Sequence, residues 1–304
     1  MNEAREALHW STAPNNAVRC GLCPHRCHIP ENAPGICGVR ENRAGTLIAS
    51  SYGQVSSIAL DPIEKKPLYM FHPGKNVLSI GGFGCNFRCG FCQNHEISME
   101  YGNLRQSAEQ ISPNDVVSVA LQTVPRGNIG VAYTYNEPFI GYEFLYDCAI
   151  LTHEAGLYNV LVTNGFINKE PLEILMPCID AMNIDLKGFS ESFYKELGGS
   201  LDVVKETIAL SAKNCHVEVT TLVIPGESSP VALQRHPTRG NEDDIEDIAK
   251  WLSSIDTDIP LHLTRFFPRY HHSDRRPTPR ETIFKLQETA KKYLKNVFIG
   301  NMGN

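Results

Sequence analysis

Val77-Leu-Ser-Ile80-Gly81-Gly-Phe-Gly-Cys85-Asn-Phe-Arg-Cys89-Gly-Phe-Cys92-Gln-Asn-His95 is the stretch on which the reading of this chain turns. It opens with an apolar run, Val77–Ile80, suited to a buried strand. A glycine-rich loop follows at once and carries three cysteines at C-x3-C-x2-C. Three thiolates this close can hold three corners of an iron–sulfur cubane, a group usually held by four. The missing fourth ligand leaves the open position that a catalytic metal site requires. Packing of buried cysteines is the plainer alternative. The glycines before Cys85 allow a tight backbone wrap, and Phe87 and Phe91 would keep water away.

Outward from this loop, strand-like runs alternate with helical patterns. The runs are Val77–Ile80, Ile129–Tyr133, Asn159–Val162, Ala181–Ile184, His216–Ile224, Leu261–Thr264 and Val297–Ile299. Between them, Ser112, Pro113 and Asp115 fit a helix N-terminus. Ile245, Ile248, Ala249 and Leu252 repeat with helical period. Thr278 and Glu281 read as a capping box around Pro279. This alternation implies a parallel sheet, here an α/β fold with a partial (β/α)6-type TIM-like barrel over residues 76–304. A doubly wound sheet competes, without a GxGxxG loop to support it. Residues 1–75 read as a small Cys-rich irregular N-terminal region. The polar segment Glu227–Gly240 reads as a mobile loop over one mouth of the barrel.

The chain has 304 residues, 42% of them hydrophobic, and a net charge of −6, which argues against nucleic acid or an anionic membrane as partner. The first twenty residues lack a secretory apolar core, and no apolar run is long enough to span a membrane, so a reducing, cytoplasmic setting is expected. In that setting ten cysteines point to metal or redox chemistry rather than disulfides. Cys20, Cys23, Cys27 and Cys37 form a second group that suits a closed site, either zinc or an auxiliary iron–sulfur cluster. Its spacing matches neither a zinc ribbon nor a ferredoxin run. Cys148, Cys178 and Cys215 sit in apolar settings and read as core.

The triplet resembles the signature of the radical S-adenosylmethionine (radical SAM) superfamily, C-x3-C-x-aromatic-C, with Cys85, Cys89, Phe91 and Cys92 in matching places. Five further stretches are similar to AmmeMemoRadiSam-system radical SAM enzymes, themselves similar to pyruvate formate-lyase activating enzymes. They are Cys20–Cys27, Gly35–Arg40, Asp61-Pro-Ile-Glu-Lys-Lys-Pro67, Thr134-Tyr-Asn-Glu-Pro138 and Asn183-Ile-Asp-Leu-Lys187. The likeness runs over residues 18–301.

The resemblance implies a [4Fe-4S] cluster on Cys85, Cys89 and Cys92, with S-adenosylmethionine at the open iron. It implies a reductant such as ferredoxin or flavodoxin, and hydrogen abstraction by a 5′-deoxyadenosyl radical from a protein or small molecule. A glycyl-radical protein, or a Memo-type or AMMECR-type protein, would be the protein substrate. Tyr135, Asn136 and Glu137 stand where the superfamily has a Gly-Gly-Glu loop, and Glu137 would meet the SAM ammonium, although no Gly-Gly is present. Thr163 and Asn164 would face the ribose or carboxylate of SAM. Asp185 and Lys187 would be the catalytic pair beside SAM and substrate. Thr221 would lie beside the adenine, and His262 or Arg265 would point inward, Arg265 toward a carboxylate. Turns and rim ion pairs are the plain alternatives at these positions. His271 and His272 read as surface. Family members often continue past the last strand into a Cys-Pro-x-Cys pair; this sequence stops at Asn304, so that tail is either missing from it or dispensed with. Two rival readings are an iron–sulfur electron carrier and a zinc-organised interaction module.

Overall fold

Seven parallel strands, each beside the next in chain order, carry the fold of the described residues. They are β8 (Asn76–Gly81), β10 (Asn128–Tyr133), β11 (Tyr158–Thr163), β12 (Ala181–Asp185), β13 (His216–Val223), β14 (Leu261–Arg265) and β15 (Val297–Gly300). The computed structural model describes residues 5–106, 108–226 and 241–303, so the loop expected at 227–240 lies outside the described residues. One antiparallel strand, β7 (Ser57–Pro62), pairs with β8 and makes the sheet eight-stranded. The sheet therefore begins ahead of residue 75. A partial TIM-like barrel results, with one more parallel strand than the six-fold reading.

Before it lie β1 (Trp10–Thr12), β2 (Val18–Cys20) and β3 (His28–Ile29) in one small sheet, then the hairpin β4 (Arg40–Arg43) and β5 (Thr46–Ala49). β6 (Gln54–Val55) pairs with β9 (Glu109–Gln110). The helices are α1 (His95–Ser98), α2 (Gly102–Gln106), α3 (Pro113–Thr123), α4 (Tyr142–Glu154), α5 (Lys169–Leu175), α6 (Glu191–Leu197), α7 (Leu201–Ser211), α8 (Ile245–Ile255) and α9 (Arg280–Ala290). Among the described residues no helix is long and apolar enough to cross a membrane.

Local signals explain most starts. Ser112 caps α3 in a reciprocal box with Asp115, and Pro113 occupies the first turn. Ile245, Ile248, Ala249 and Leu252 of α8 are all fully buried, and burying each large aliphatic side chain contributes about 1.5–3 kcal/mol. The box expected at Thr278 does not form. Pro279 is the N-cap of α9 without a side-chain bond, and Thr278 Oγ1 donates instead to the Val223 carbonyl at 2.6 Å. The strand neighbour outcompetes the local cap.

Strand alternation divides the core. Leu78, Val131, Tyr133, Leu161 and Met182 pack in the main cluster, whereas Val77, Ala132, Val160 and Ala181 close around Ile63 and Leu68. Residues 63–72 thus plug the bottom of the barrel. Glu218, on β13, clamps that plug by accepting bonds from Tyr69 N at 3.0 Å and Met70 N at 2.7 Å, and Asn183 Nδ2 donates to Pro67 O at 2.8 Å. Of the three isolated cysteines, Cys148 is core, while Cys178 and Cys215 are only half-buried.

Candidate active site

A cavity of about 380 Å³ opens at the C-terminal ends of the strands, where barrel enzymes place their chemistry. Cys85, Cys89 and Cys92 form one wall, on the loop that follows β8. Tyr135, Asn136 and Glu137 after β10, Thr163 and Asn164 at the end of β11, and Asp185 and Lys187 at the end of β12 also line it. The structure therefore gathers ten of the predicted residues, from four strand ends, around one space.

The cysteine loop is held by its neighbours. Asn136 Oδ1 accepts from Gly82 N at 2.9 Å, and its Nδ2 donates to the Phe83 and Gly84 carbonyls at 3.1 Å. Gly84 has φ of +82° and so favours glycine. Burial pushes the Cys89 thiol up to about 12, and it raises Cys85 and Cys92 as well. Cys85 Sγ accepts from Phe87 N at 3.4 Å and Asn164 Nδ2 at 3.7 Å. Phe87 and Phe91 are buried beside them. Buried soft donors with N–H groups aimed at sulfur fit an iron–sulfur group. Thr220 Oγ1, on the cavity wall, is buried without a partner among the described residues, which leaves a polar atom for a ligand.

Three hydrogen bonds anchor Glu137 within the protein. It accepts from Thr163 Oγ1 at 2.7 Å, Asn164 N at 2.8 Å and Phe139 N at 3.0 Å. Burial still pushes its carboxyl up to about 7 against these donors. It ties the ends of β10 and β11 together. Lys187 Nζ meets Asp185 at 2.6 Å. Burial works against its charge, yet Asp185 together with the neighbouring Cys89 and Cys92 outweighs that and raises the Lys187 pKa, so the ammonium persists.

Three predicted residues face elsewhere. Thr221 is buried on the outer face of β13 and donates to Leu186 O at 2.8 Å; Thr220 and Leu222 take the inner face. Arg265 donates to Thr278 O at 2.6 Å and lies over the Phe267 ring, leaving Thr264 on the cavity. His262 does point inward, but below the cavity, bonded to Glu218 at 2.6 Å. Strand alternation decides Thr221 and Arg265, because only every second residue faces the interior, whereas His262 is on the inner face two residues below Thr264. His272 is buried against Phe91 and Phe266 rather than at the surface, while His271 is exposed.

Other site residues carried no individual signal. Asn94 Nδ2 donates to Tyr135 O at 2.7 Å, and Asn86 bridges Asn164 and the Phe166 carbonyl, both at 2.8 Å. Lys65, Lys66 and Pro67 line the cavity too. Only the motif Asp61–Pro67 pointed toward them.

The N-terminal cysteines lie against this loop. The Cys37 carbonyl sits where a side chain at Gly84 would go, Arg88 bonds both the Cys85 and Ile36 carbonyls, and His25 reaches Asn86 O at 2.8 Å. Burial pushes the Cys23 thiol up to about 12, and the nearby Cys20, Cys37 and Cys27 add to the rise. Among the described residues no three His, Cys, Asp or Glu side chains converge as one metal ion requires.

Residues 79–230 match the radical SAM superfamily, and the chain belongs to that superfamily, whose members use a [4Fe-4S] cluster and S-adenosylmethionine. It is 40% identical to an uncharacterized protein of Methanocaldococcus jannaschii, over 98% of this chain and 85% of that one. It is 26% identical to the pyruvate formate-lyase 1-activating enzyme of Escherichia coli (strain K12), over 48% of this chain and 60% of that enzyme. The fold is similar to that of Streptococcus suis SuiB bound to S-adenosylmethionine, with a TM-score of 0.51 and 16% identity, covering 72% of this chain and 48% of SuiB.

Proposed function

We propose that this chain is a radical SAM enzyme of the activating-enzyme-like kind, with Cys85, Cys89 and Cys92 as its cluster ligands. The observation that carries the reading is the cavity itself, in which three thiols face polar groups from the ends of β10, β11 and β12. When bound, the cluster and S-adenosylmethionine supply one-electron chemistry, ending in a 5′-deoxyadenosyl radical that takes a hydrogen atom from substrate.

The chain's own residues supply position and dryness. Asn136 and Asn94 fix the loops on either side of the cavity. Phe87 and Phe91 exclude water from the thiols. The Glu137 carboxylate would meet the SAM ammonium, which would favour its charged form. Thr163 and Asn164 would frame ribose or carboxylate. Asp185 and Lys187 would stand beside SAM and substrate as an oriented ion pair. A ferredoxin or flavodoxin would deliver the electron in the cytoplasm. The motifs shared with AmmeMemoRadiSam-system enzymes and the likeness to activating enzymes support a Memo-type, AMMECR-type or glycyl-radical protein as one class of hydrogen donor.

Residues 1–75 would act as a metal-organised cover for the cysteine loop. Four thiols that share one neighbourhood suit either a zinc ion or an auxiliary iron–sulfur cluster.

The test is anaerobic reconstitution, reduction and assay for 5′-deoxyadenosine. The wild-type chain should form it and Cys89→Ala should not. An intact, reduced cluster that leaves S-adenosylmethionine uncleaved refutes the reading. Metal analysis decides the second site, since zinc in place of extra iron refutes the auxiliary cluster.

A further inference from the structure

The cavity has a cationic floor that the proposed chemistry does not use. Lys66 comes up from the plug, its side chain almost wholly buried, and lines the cavity together with Lys65 and Tyr135. Behind them, outside the cavity lining, sits Asp61. Its carboxylate accepts from Lys66 Nζ at 2.8 Å, Lys65 Nζ at 3.0 Å and the Tyr135 hydroxyl at 2.8 Å. One carboxylate thus backs two ammonium groups, the enclosed one of Lys66 and the mostly exposed one of Lys65.

The arrangement is tightly fixed. Tyr135 holds φ of +72°, a conformation that bulky residues seldom adopt and that gathers at functional sites. Its ring packs close to Gly81, where a Cβ would come within 2.8 Å of Cδ2, and Lys66 Nζ sits 4.7 Å from the ring centre. From below, Glu218 and Asn183 hold the plug, so Lys66 cannot retreat. Of the other charges on the cavity, Lys187 is paired with Asp185 at 2.6 Å, and Glu137 is assigned to the cofactor ammonium.

Resting on the radical SAM reading, we propose that Lys66 binds an anionic group, a carboxylate or phosphate, of a small-molecule substrate on the barrel floor, across the cavity from the cysteine triplet. One ammonium N–H is directed to Asp61 and another faces the Tyr135 ring, leaving a donor for the ligand. A cation so enclosed suits a small anion that loses its water once, rather than a folded protein surface.

Two measurements on reconstituted, SAM-loaded enzyme test this. Crystals soaked in sodium bromide should show anomalous density at Lys66 Nζ, absent in Lys66→Met. Calorimetric titration with malonate should show binding that weakens about tenfold or more in Lys66→Met and survives in Lys66→Arg, with SAM affinity unchanged. Bromide at other surface cations but not at Lys66 overturns the proposal, and the wild-type crystal alone can give that result. Loss of SAM affinity in Lys66→Met overturns it by making Lys66 a cofactor ligand. Binding of an acetylated Gly-Asp-Gly peptide without malonate binding overturns the small-molecule source. Absent 5′-deoxyadenosine alongside bound bromide would sink the radical reading and leave the anion site standing.

Discussion

Replacing Gly84 by alanine probes whether the N-terminal cysteines and the barrel's cysteine loop act as one body. Gly84 has φ of +82°, and a Cβ there would lie 2.4 Å from the Cys37 carbonyl oxygen, 3.0 Å from Val39 Cγ1 and 3.1 Å from Ile140 Cδ1. Ordinary contact begins at 3.4 Å, so the Cys37 backbone and the Cys85 loop must part by about 1 Å. The left-handed conformation costs alanine about 1–2 kcal/mol, and overpacking a filled core adds about 1–3 kcal/mol. At roughly 2–4 °C per kcal/mol, the apoprotein should melt roughly 5–15 °C lower. Iron incorporation should also fall, because Cys85 is the next residue. Thermal denaturation by circular dichroism and iron per chain after reconstitution are the measurements. A Gly84→Ala protein with wild-type melting temperature and iron content would refute the close coupling of the two segments.

Three other outcomes follow from the contacts. Arg40 and Glu143 form a buried pair at 3.0 Å, with Glu143 also accepting from Leu8 N at 2.6 Å; Arg40→Met should cost about 3–5 kcal/mol in chemical denaturation because it strands a buried carboxylate. Glu137→Gln must turn an amide N–H toward one of three donors, so it should lose about 1–3 kcal/mol; unchanged stability with weakened SAM binding would make Glu137 a cofactor ligand alone. Bonds from His216, His262 and the Met70 and Tyr69 N–H groups outweigh the burial of Glu218 and bring its carboxyl down to about 2. Its folded pKa lies below the ordinary 4.5, so its stabilisation is full above that pH and drains away as pH falls toward 2. Melting temperature should drop more steeply from pH 5 to pH 3 in wild type than in Glu218→Gln, and equal slopes would contradict the reasoning.

The features read well from sequence were those written in consecutive residues. A C-x3-C-x2-C loop places its thiols together whatever the rest of the chain does, because the covalent spacing is short. The Ser112 cap and the apolar stripe of α8 are likewise local, set by backbone donors and helical period. Strand alternation with helices was enough for the barrel.

Tertiary structure decided which way side chains face and which distant segments meet. Thr221 and Thr220 are equivalent by type, yet register puts only Thr220 on the cavity. Thr278 had a local partner available and took the Val223 carbonyl instead. His272 is buried because Phe91 of the Cys loop and Phe266 pack on it. The Asp61–Lys66–Tyr135 network joins the adjoining edge strand and plug to a strand end 74 residues further along the chain. Sequence determined the grouping of three thiols in one loop, since a triplet with no fourth is a property of spacing alone. What stands opposite them, and its charge, depended on the barrel closing around its plug, because burial and pairing across the core are set by non-local packing.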